Sequence, residues 1–480
     1  MIFNSLEFVF FFMVVFWGYF GISARFRWIL LLVASYVFYA SWNPLYTLLI
    51  VGSTLVDYYA AIKVEESDSK RSKKLFLTLS LLSNIGLLGF FKYYGFLATE
   101  SNWLLESFGY ESRLPLFDVL LPVGISFYTF QTMSYSIDVY RGALKAERHL
   151  GHFALYVSFF PQLVAGPIER STRLLPQLKR LQGFDYERVR EGFQLIYWGL
   201  FKKIVVADWL ADYVNNVYGN VDQSSGLACL LATFFFAFQI YYDFSAYSEI
   251  ARGCGKVFGV ELMVNFRTPY FSTSIKEFWQ RWHISLSTWF RDYVYFPLGG
   301  NRVALPRVLM NIMIVFAISG VWHGANWTFL IWGLLHGSAL VLLLVSAGLR
   351  GRIFERIGLP EQSWIRKGLG LGATFSFVLV TWVFFRAESL GDAMTVFSKF
   401  GQIFPIEVGG GQIAAGLSRG TFLFLFVGVM LVTLLEVRDH VLKIFASPRP
   451  LVRWSFYLML GILIITAGHY QPSEFVYFQF

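Results

Sequence analysis

The chain has 480 residues, of which 56% are hydrophobic, 19% aromatic and only 15% charged, and its mean hydropathy is +0.53. Charged residues make up about a quarter of an ordinary globular chain, so this composition excludes a water-solvated domain and points to a protein solvated by lipid. The 40 Lys and Arg exceed the 31 Asp and Glu by nine, an excess that reads as membrane topology rather than as affinity for nucleic acid, because cytoplasmic loops retain basic residues. With only Cys229 and Cys254, far apart, neither a disulfide framework nor a thiolate metal site is written into the sequence.

A hydrocarbon core about 30 Å thick takes about 20 mostly apolar residues in a helix, and about twelve such runs follow one another along the chain. The first, 2–22, lacks the basic start and small-residue cleavage site of a signal peptide and is expected to stay as a span. It is followed by 28–43 and 44–62, joined at Trp42-Asn43-Pro44, then by 74–98, 117–138, 193–210, 226–248, 308–323, 326–349, 367–386, 420–436 and 453–469. The shorter run 152–166 reads as interfacial or re-entrant. Basic loops at 63–74, 141–148, 170–191, 252–307, 350–367 and 438–453 belong inside; the loops holding Glu100, Glu106 and Glu111, Asp212 and Asp222, and Gly409-Gly410-Gly411 belong outside. Both termini are then expected on the non-cytoplasmic face of an all-α polytopic protein forming a single membrane domain over 1–480. There is no internal repeat.

Ionisable residues at membrane depth cost several kcal/mol unless paired or solvated, so they mark candidate functional places. Asp243, Glu249 and Arg252 close the apolar run 226–248, either as a snorkelling helix end or as something more specific. In the segment from Asn265 to Gly300, Phe278, Trp282, Ser285 and Trp289 recur at helical spacing among Lys276, Arg281 and Arg291, the pattern of an amphipathic helix at the cytoplasmic face. His283 lies within it, as a satisfied interfacial group or as an inward-facing one. The run before Trp322-His323-Gly324 is too short to span comfortably, and Gly320, Gly324 and Ala325 allow close backbone approach, so His323 is expected inside the embedded core. There a neutral imidazole can take a proton from a hydroxyl or can simply bond between helices. His336 reads as structural. No phosphate-binding Walker loop, G-x-S-x-G elbow or H-E-x-x-H zinc helix occurs.

Four stretches carry a resemblance. Arg281-Trp-His-Ile-Ser-Leu-Ser-Thr-Trp-Phe-Arg-Asp-Tyr-Val-Tyr-Phe-Pro-Leu-Gly-Gly-Asn-Arg302 and Trp322-His-Gly-Ala-Asn-Trp-Thr-Phe-Leu-Ile-Trp-Gly333 resemble the two signature stretches of the membrane-bound O-acyltransferases. Leu121-Pro-Val-Gly-Ile-Ser-Phe-Tyr-Thr-Phe-Gln131 and Phe160-Pro-Gln-Leu-Val-Ala-Gly-Pro-Ile168 match the same family. Over its whole length the chain looks most like the bacterial branch that holds the membrane subunit of alginate O-acetylation. The resemblance implies a ring of about twelve tilted helices enclosing a tunnel, open to a donor from the cytoplasm and an acceptor from outside, in a bacterial inner membrane. It implies that His323 is the catalytic histidine and His283 the second polar active-site residue, with the core at about 240–350. Trp322, Asn326, Trp282 and Ser285 are then expected around the substrate, and Lys276, Arg281 and Arg291 around a phosphorylated donor arm. The donor is expected to be acetyl-CoA or another acyl thioester, with no bound cofactor and no metal. The expected partners are a periplasmic, serine esterase-like acetyltransferase and an exported polysaccharide. The end of the chain, Phe475-Val-Tyr-Phe-Gln-Phe480, reads F-x-Y-x-x-F and is similar to the tail motif of the small partner in teichoic-acid D-alanylation, in which the tyrosine is proposed to carry the acyl group. That makes Tyr477 a candidate nucleophile, since a phenol with a pKa near 10 attacks usefully once a histidine takes its proton; otherwise the tail 470–480 is an aromatic anchor. D-alanyl or peptidoglycan acyl transfer by the same fold, and a transporter using the histidines as a proton relay, are the alternatives.

Overall fold

The structure, a computed structural model, describes residues 1–110, 113–117, 119–164, 166–402, 412–413, 417–437, 440–470 and 475–478. The expected outer loop at Gly409-Gly410-Gly411, as well as Glu111 and Phe480, lie outside the described residues. Among the described residues helices predominate, with one antiparallel pairing of Gln412–Ile413 on Leu417–Ser418. Each of the twelve apolar runs contains helix, although the run 117–138 becomes helical only from Ile125, in the helix Ile125–Tyr140. Among the described residues, eight helices are long and apolar enough to cross a membrane: Pro44–Glu66, Lys70–Ser107, Gly226–Val257, Leu305–His323, Trp327–Val345, Trp364–Arg386, Arg419–Val437 and Pro450–Ala467. Leu6–Gly21 is apolar and shorter. Large side chains such as Leu342, Leu458 and Ile465 stand open on these helices, which is how a chain with so little charge presents its surface to lipid. It is a multi-pass, all-α membrane protein.

Two compact units share the chain, Met1–Tyr197 with Tyr247–Met263, and Trp198–Ala246 with Val264–Phe480. In the first, a buried carboxylate ties three helices together. Asp57 accepts from Asn84 Nδ2 at 2.9 Å and from Ser80 Oγ at 2.5 Å, while Thr132 Oγ1 and Ser53 Oγ donate to Asn84 Oδ1 at 3.0 and 3.1 Å. A carboxylate kept from water is tolerable when its lone pairs are filled in this way. The family-matching stretches 121–131 and 160–168 meet at Gly124, which has φ 76°; a Cβ there would sit 2.5 Å from the Leu163 carbonyl oxygen. The run 152–166, expected at an interface or re-entrant, forms the short helices Leu150–Ser158 and Phe160–Leu163, and residues 153–164 are buried in protein.

The second unit is organised around the hairpin Leu305–His323 and Trp327–Val345, which delivers His323 to the interior. Its two helices touch through glycines. A Cβ on Gly333 would lie 2.2 Å from the Phe316 carbonyl oxygen, and one on Gly320 would lie 2.4 Å from that of Phe329. Without a strong hydrophobic drive between helices in lipid, such close backbone approach is what holds a pair together. Gly333→Ala is therefore expected to destabilise the protein by about 1–3 kcal/mol, the usual cost of overpacking. Gly372→Ala, whose Cβ would meet nothing within 4 Å, is the control. Equal apparent unfolding temperatures for the two purified variants would refute the close-packing account.

Candidate active site

His323 is the last residue of its helix, where Gly324 breaks away in extended backbone. Its ring is 3% exposed and sits 4.9 Å from Trp322, 4.8 Å from Trp332 and 5.2 Å from Phe385 between centroids. An aromatic box of this kind orients an imidazole and keeps bulk water off it.

His283 comes to the same place by an unusual route. It joins the short helices Ile275–Arg281 and Ile284–Phe290 with φ 42° and ψ 55°, left-handed backbone without a glycine, a conformation that costs about 1–3 kcal/mol and persists only when its surroundings enforce it. The strand-like segment before it does so: the Ile284 N–H donates to the Asn265 carbonyl at 3.0 Å, the Ser285 N–H to Asn265 Oδ1 at 3.2 Å, and the Arg267 N–H to the Arg281 carbonyl at 3.0 Å. The ring is fully buried, packed edge-on at 4.7 Å against Phe244, and 6.2 Å from Trp322. Burial pushes its pKa down to about 3, so it is a neutral imidazole at any physiological pH.

The tail reaches both histidines. Tyr477, in the short turn Val476–Phe478, has its ring centroid 5.6 Å from His323, 6.2 Å from His283 and 4.5 Å from Phe244. The described residues 475–477 are not laid in an interfacial belt: Phe475 and Val476 are buried, and the Val476 N–H donates to Asp243 Oδ2 at 2.8 Å. Asp243 does not snorkel, contrary to one of the sequence expectations. Its helix continues through it to Val257, and the carboxylate is matched inside the protein by Lys203 at 2.8 Å, which also meets Asp208 at 2.8 Å.

A cavity of about 480 Å³ opens beside the histidine turn. Lys276 and Arg291 line it together with Trp279, Gln280, Ser287 and Thr288, and so do Ile284, next to His283, and Ser319, one turn ahead of His323. Arg281 does not line it; its guanidinium is held by Glu277 at 2.6 Å. Asn326 is also committed elsewhere, capping the helix Trp327–Val345 through the Thr328 N–H at 3.0 Å and donating to the Glu388 carbonyl at 2.8 Å. Trp282 stacks on Phe278 at 5.5 Å as packing. Ser285 is buried in the turn that Asn265 holds. His336 is structural: Trp279 Nε1 donates to its Nδ1 at 3.3 Å, which leaves Nε2–H facing Thr381 Oγ1 at 3.0 Å.

Residues 42–385 match the profile of the membrane-bound O-acyltransferase family. The chain belongs to that family. It is 40% identical to a probable alginate O-acetylase of Azotobacter vinelandii over 400 residues, covering 83% of this chain and 77% of that protein. It is 36% identical to one from Pseudomonas putida over the full length of both. A peptidoglycan O-acetyltransferase of Helicobacter pylori is 36% identical over 82% of this chain and 79% of its own. Family membership makes the chain an O-acyltransferase and removes the proton-relay transporter as an alternative. Of the residues expected around a membrane-bound O-acyltransferase reaction, His323, His283, Trp322 and Tyr477 converge, Lys276 and Arg291 share the adjoining cavity, and Asn326, Arg281 and Trp282 make contacts within the protein. Sequence reasoning missed Asn265 and Lys203. The first left only an asparagine ahead of a Pro-containing turn; the second, a lysine inside an apolar run, was the detectable signal.

Proposed function

We propose that the protein moves an acetyl group from a cytoplasmic thioester to hydroxyls of an exported, alginate-like polysaccharide, with Tyr477 as the intermediate acceptor. The observation that supports it best is the phenol ring set 5.6 Å from His323 and 6.2 Å from His283. His323 takes the proton of the Tyr477 hydroxyl as its oxygen attacks the thioester carbonyl; the C–S bond breaks, the thiolate leaves and is protonated, and a phenolic ester remains. A hydroxyl of the polysaccharide, or of a serine esterase-like partner on the far side, then attacks that ester and returns the phenol. His283, neutral, orients the carbonyl. The donor, acetyl-CoA or a carrier-bound thioester, comes from the cavity with Lys276 and Arg291, whose charges suit its phosphates. With the basic loops inside, the tail and both termini face the non-cytoplasmic side of a bacterial inner membrane. The chain then acts as one membrane domain, with its catalytic core at about 240–350 and the tail 470–480.

The similarity to a peptidoglycan O-acetyltransferase supports a second reading in which only the acceptor differs. Either acceptor leaves the first half-reaction unchanged, so that step is the one to test. Incubating the purified protein with acetyl-CoA, without acceptor, is expected to leave an acetyl group on the peptide containing Tyr477, removable by hydroxylamine and absent after Tyr477→Phe. Acetyl on another residue, or none while acceptor is still acetylated, would overturn the carrier role.

A further inference from the structure

Proton transfer and attack need the histidines and the phenol, and they do not explain why a lysine and two carboxylates are buried beneath the tail. Taking such charges out of water is costly unless geometry and hydrogen bonds compensate. Lys203, Asp208 and Asp243 are at most 4% exposed in their side chains. Lys203 meets a carboxylate oxygen of each aspartate, and Asp243 turns its second oxygen, Oδ2, to the Val476 amide at 2.8 Å. A hydrogen bond to a charged acceptor is roughly twice as strong as a neutral one. The next residue along is Tyr477. The same helical path that carries Lys203 and Asp208 also grips the segment where the tail begins: the His469 N–H donates to the Ile204 carbonyl at 2.9 Å, and His469 Nε2 meets Asp212 at 2.7 Å.

We propose that Asp243, fixed by Lys203, is a positioning residue that latches the tail through the backbone amide of Val476 and so presents Tyr477 between His283 and His323. Its effect on acyl transfer rests on the carrier reading above, whereas the latch itself is measurable without any reaction. The bond uses a main-chain donor, so the decisive variant removes only that donor. Val476→Pro deletes the N–H and leaves Lys203, Asp208 and Asp243 untouched; Val476→Ala keeps the N–H.

In the full-length protein in nanodiscs, Val476→Pro is expected to raise hydrogen exchange across the tail and to lower polysaccharide acetylation about 10- to 100-fold, the range for losing a hydrogen bond to a charged group. KM for acetyl-CoA should be unchanged, and Val476→Ala should restore both exchange protection and most of the rate. Wild-type exchange in Val476→Pro overturns the latch, and so does an equal loss in Val476→Ala, which would assign the hold to side-chain packing. A tail freed by Val476→Pro while Tyr477→Phe still acetylates normally keeps the latch and discards the carrier. If Val476→Pro fails to accumulate, Asp243→Asn, which keeps the shape and removes the charge, must show the same rise in tail exchange; an unchanged tail there overturns the proposal.

Discussion

Replacing His323 by Ala is expected to lower acyl transfer by about 10²–10⁴-fold, the usual contribution of a positioned general base. The residue ends the helix Leu305–His323, and alanine is a good helix former, so the hairpin should still form. Removing a buried imidazole does leave a void among Trp322, Trp332 and Phe385, and a lower yield would blur the result. His323→Gln fills that space and still hydrogen-bonds, but does not accept a proton at neutral pH. Both variants should therefore lose kcat by a similar factor with KM for the thioester little changed, the signature of an interaction made only in the transition state. At about 1.4 kcal/mol per tenfold, the loss corresponds to about 3–6 kcal/mol of barrier. Near-wild-type turnover in either variant, at matched membrane levels, would remove His323 from the chemistry.

The long apolar helices were legible because a lipid-spanning helix must be written as a long apolar run, a constraint that each segment satisfies locally. His323 was legible for a related reason, since a polar residue at the end of a short apolar run is costly unless it is used. The charged floor under the tail was not. Lys202 and Lys203 sit inside the run 193–210, and their partners are remote in sequence: Lys202 reaches Glu436 at 2.7 Å, and Lys203 reaches Asp243. Local patterning cannot pair groups that only the packed helices bring together. The left-handed backbone of His283 was equally hidden, because no glycine marks it and Asn265 enforces it from outside its own helix pair. Two local contacts were readable as well: Glu277 stands four residues before Arg281, and Asn326 directly precedes a helix, which are the patterns of an i,i+4 pair and an N-cap.

Tyr477→Phe is the sharper test, because it removes one oxygen and leaves the packing. The ring is held by Phe244 at 4.5 Å and Phe475 at 5.6 Å, with His323 at 5.6 Å, contacts that phenylalanine keeps. The amide of the preceding residue still reaches Asp243. If the phenol carries the acetyl group, this variant should lose polysaccharide acetylation to at least the same extent as the loss of the base, about 10²-fold or more, because its chain neighbours Phe475, Val476 and Phe478 carry no hydroxyl. It should also lose the acetylated tail peptide while retaining donor binding. Serine at 477 offers a hydroxyl on a shorter arm, well away from the place where the phenol oxygen sits, and should not rescue. If instead Tyr477→Phe acetylates as wild type, the tail is an anchor and His323 must act directly on a hydroxyl brought from outside. His323→Ala would then still abolish transfer, so the two variants together separate a relay through the tail from a single-step transfer at the same histidine.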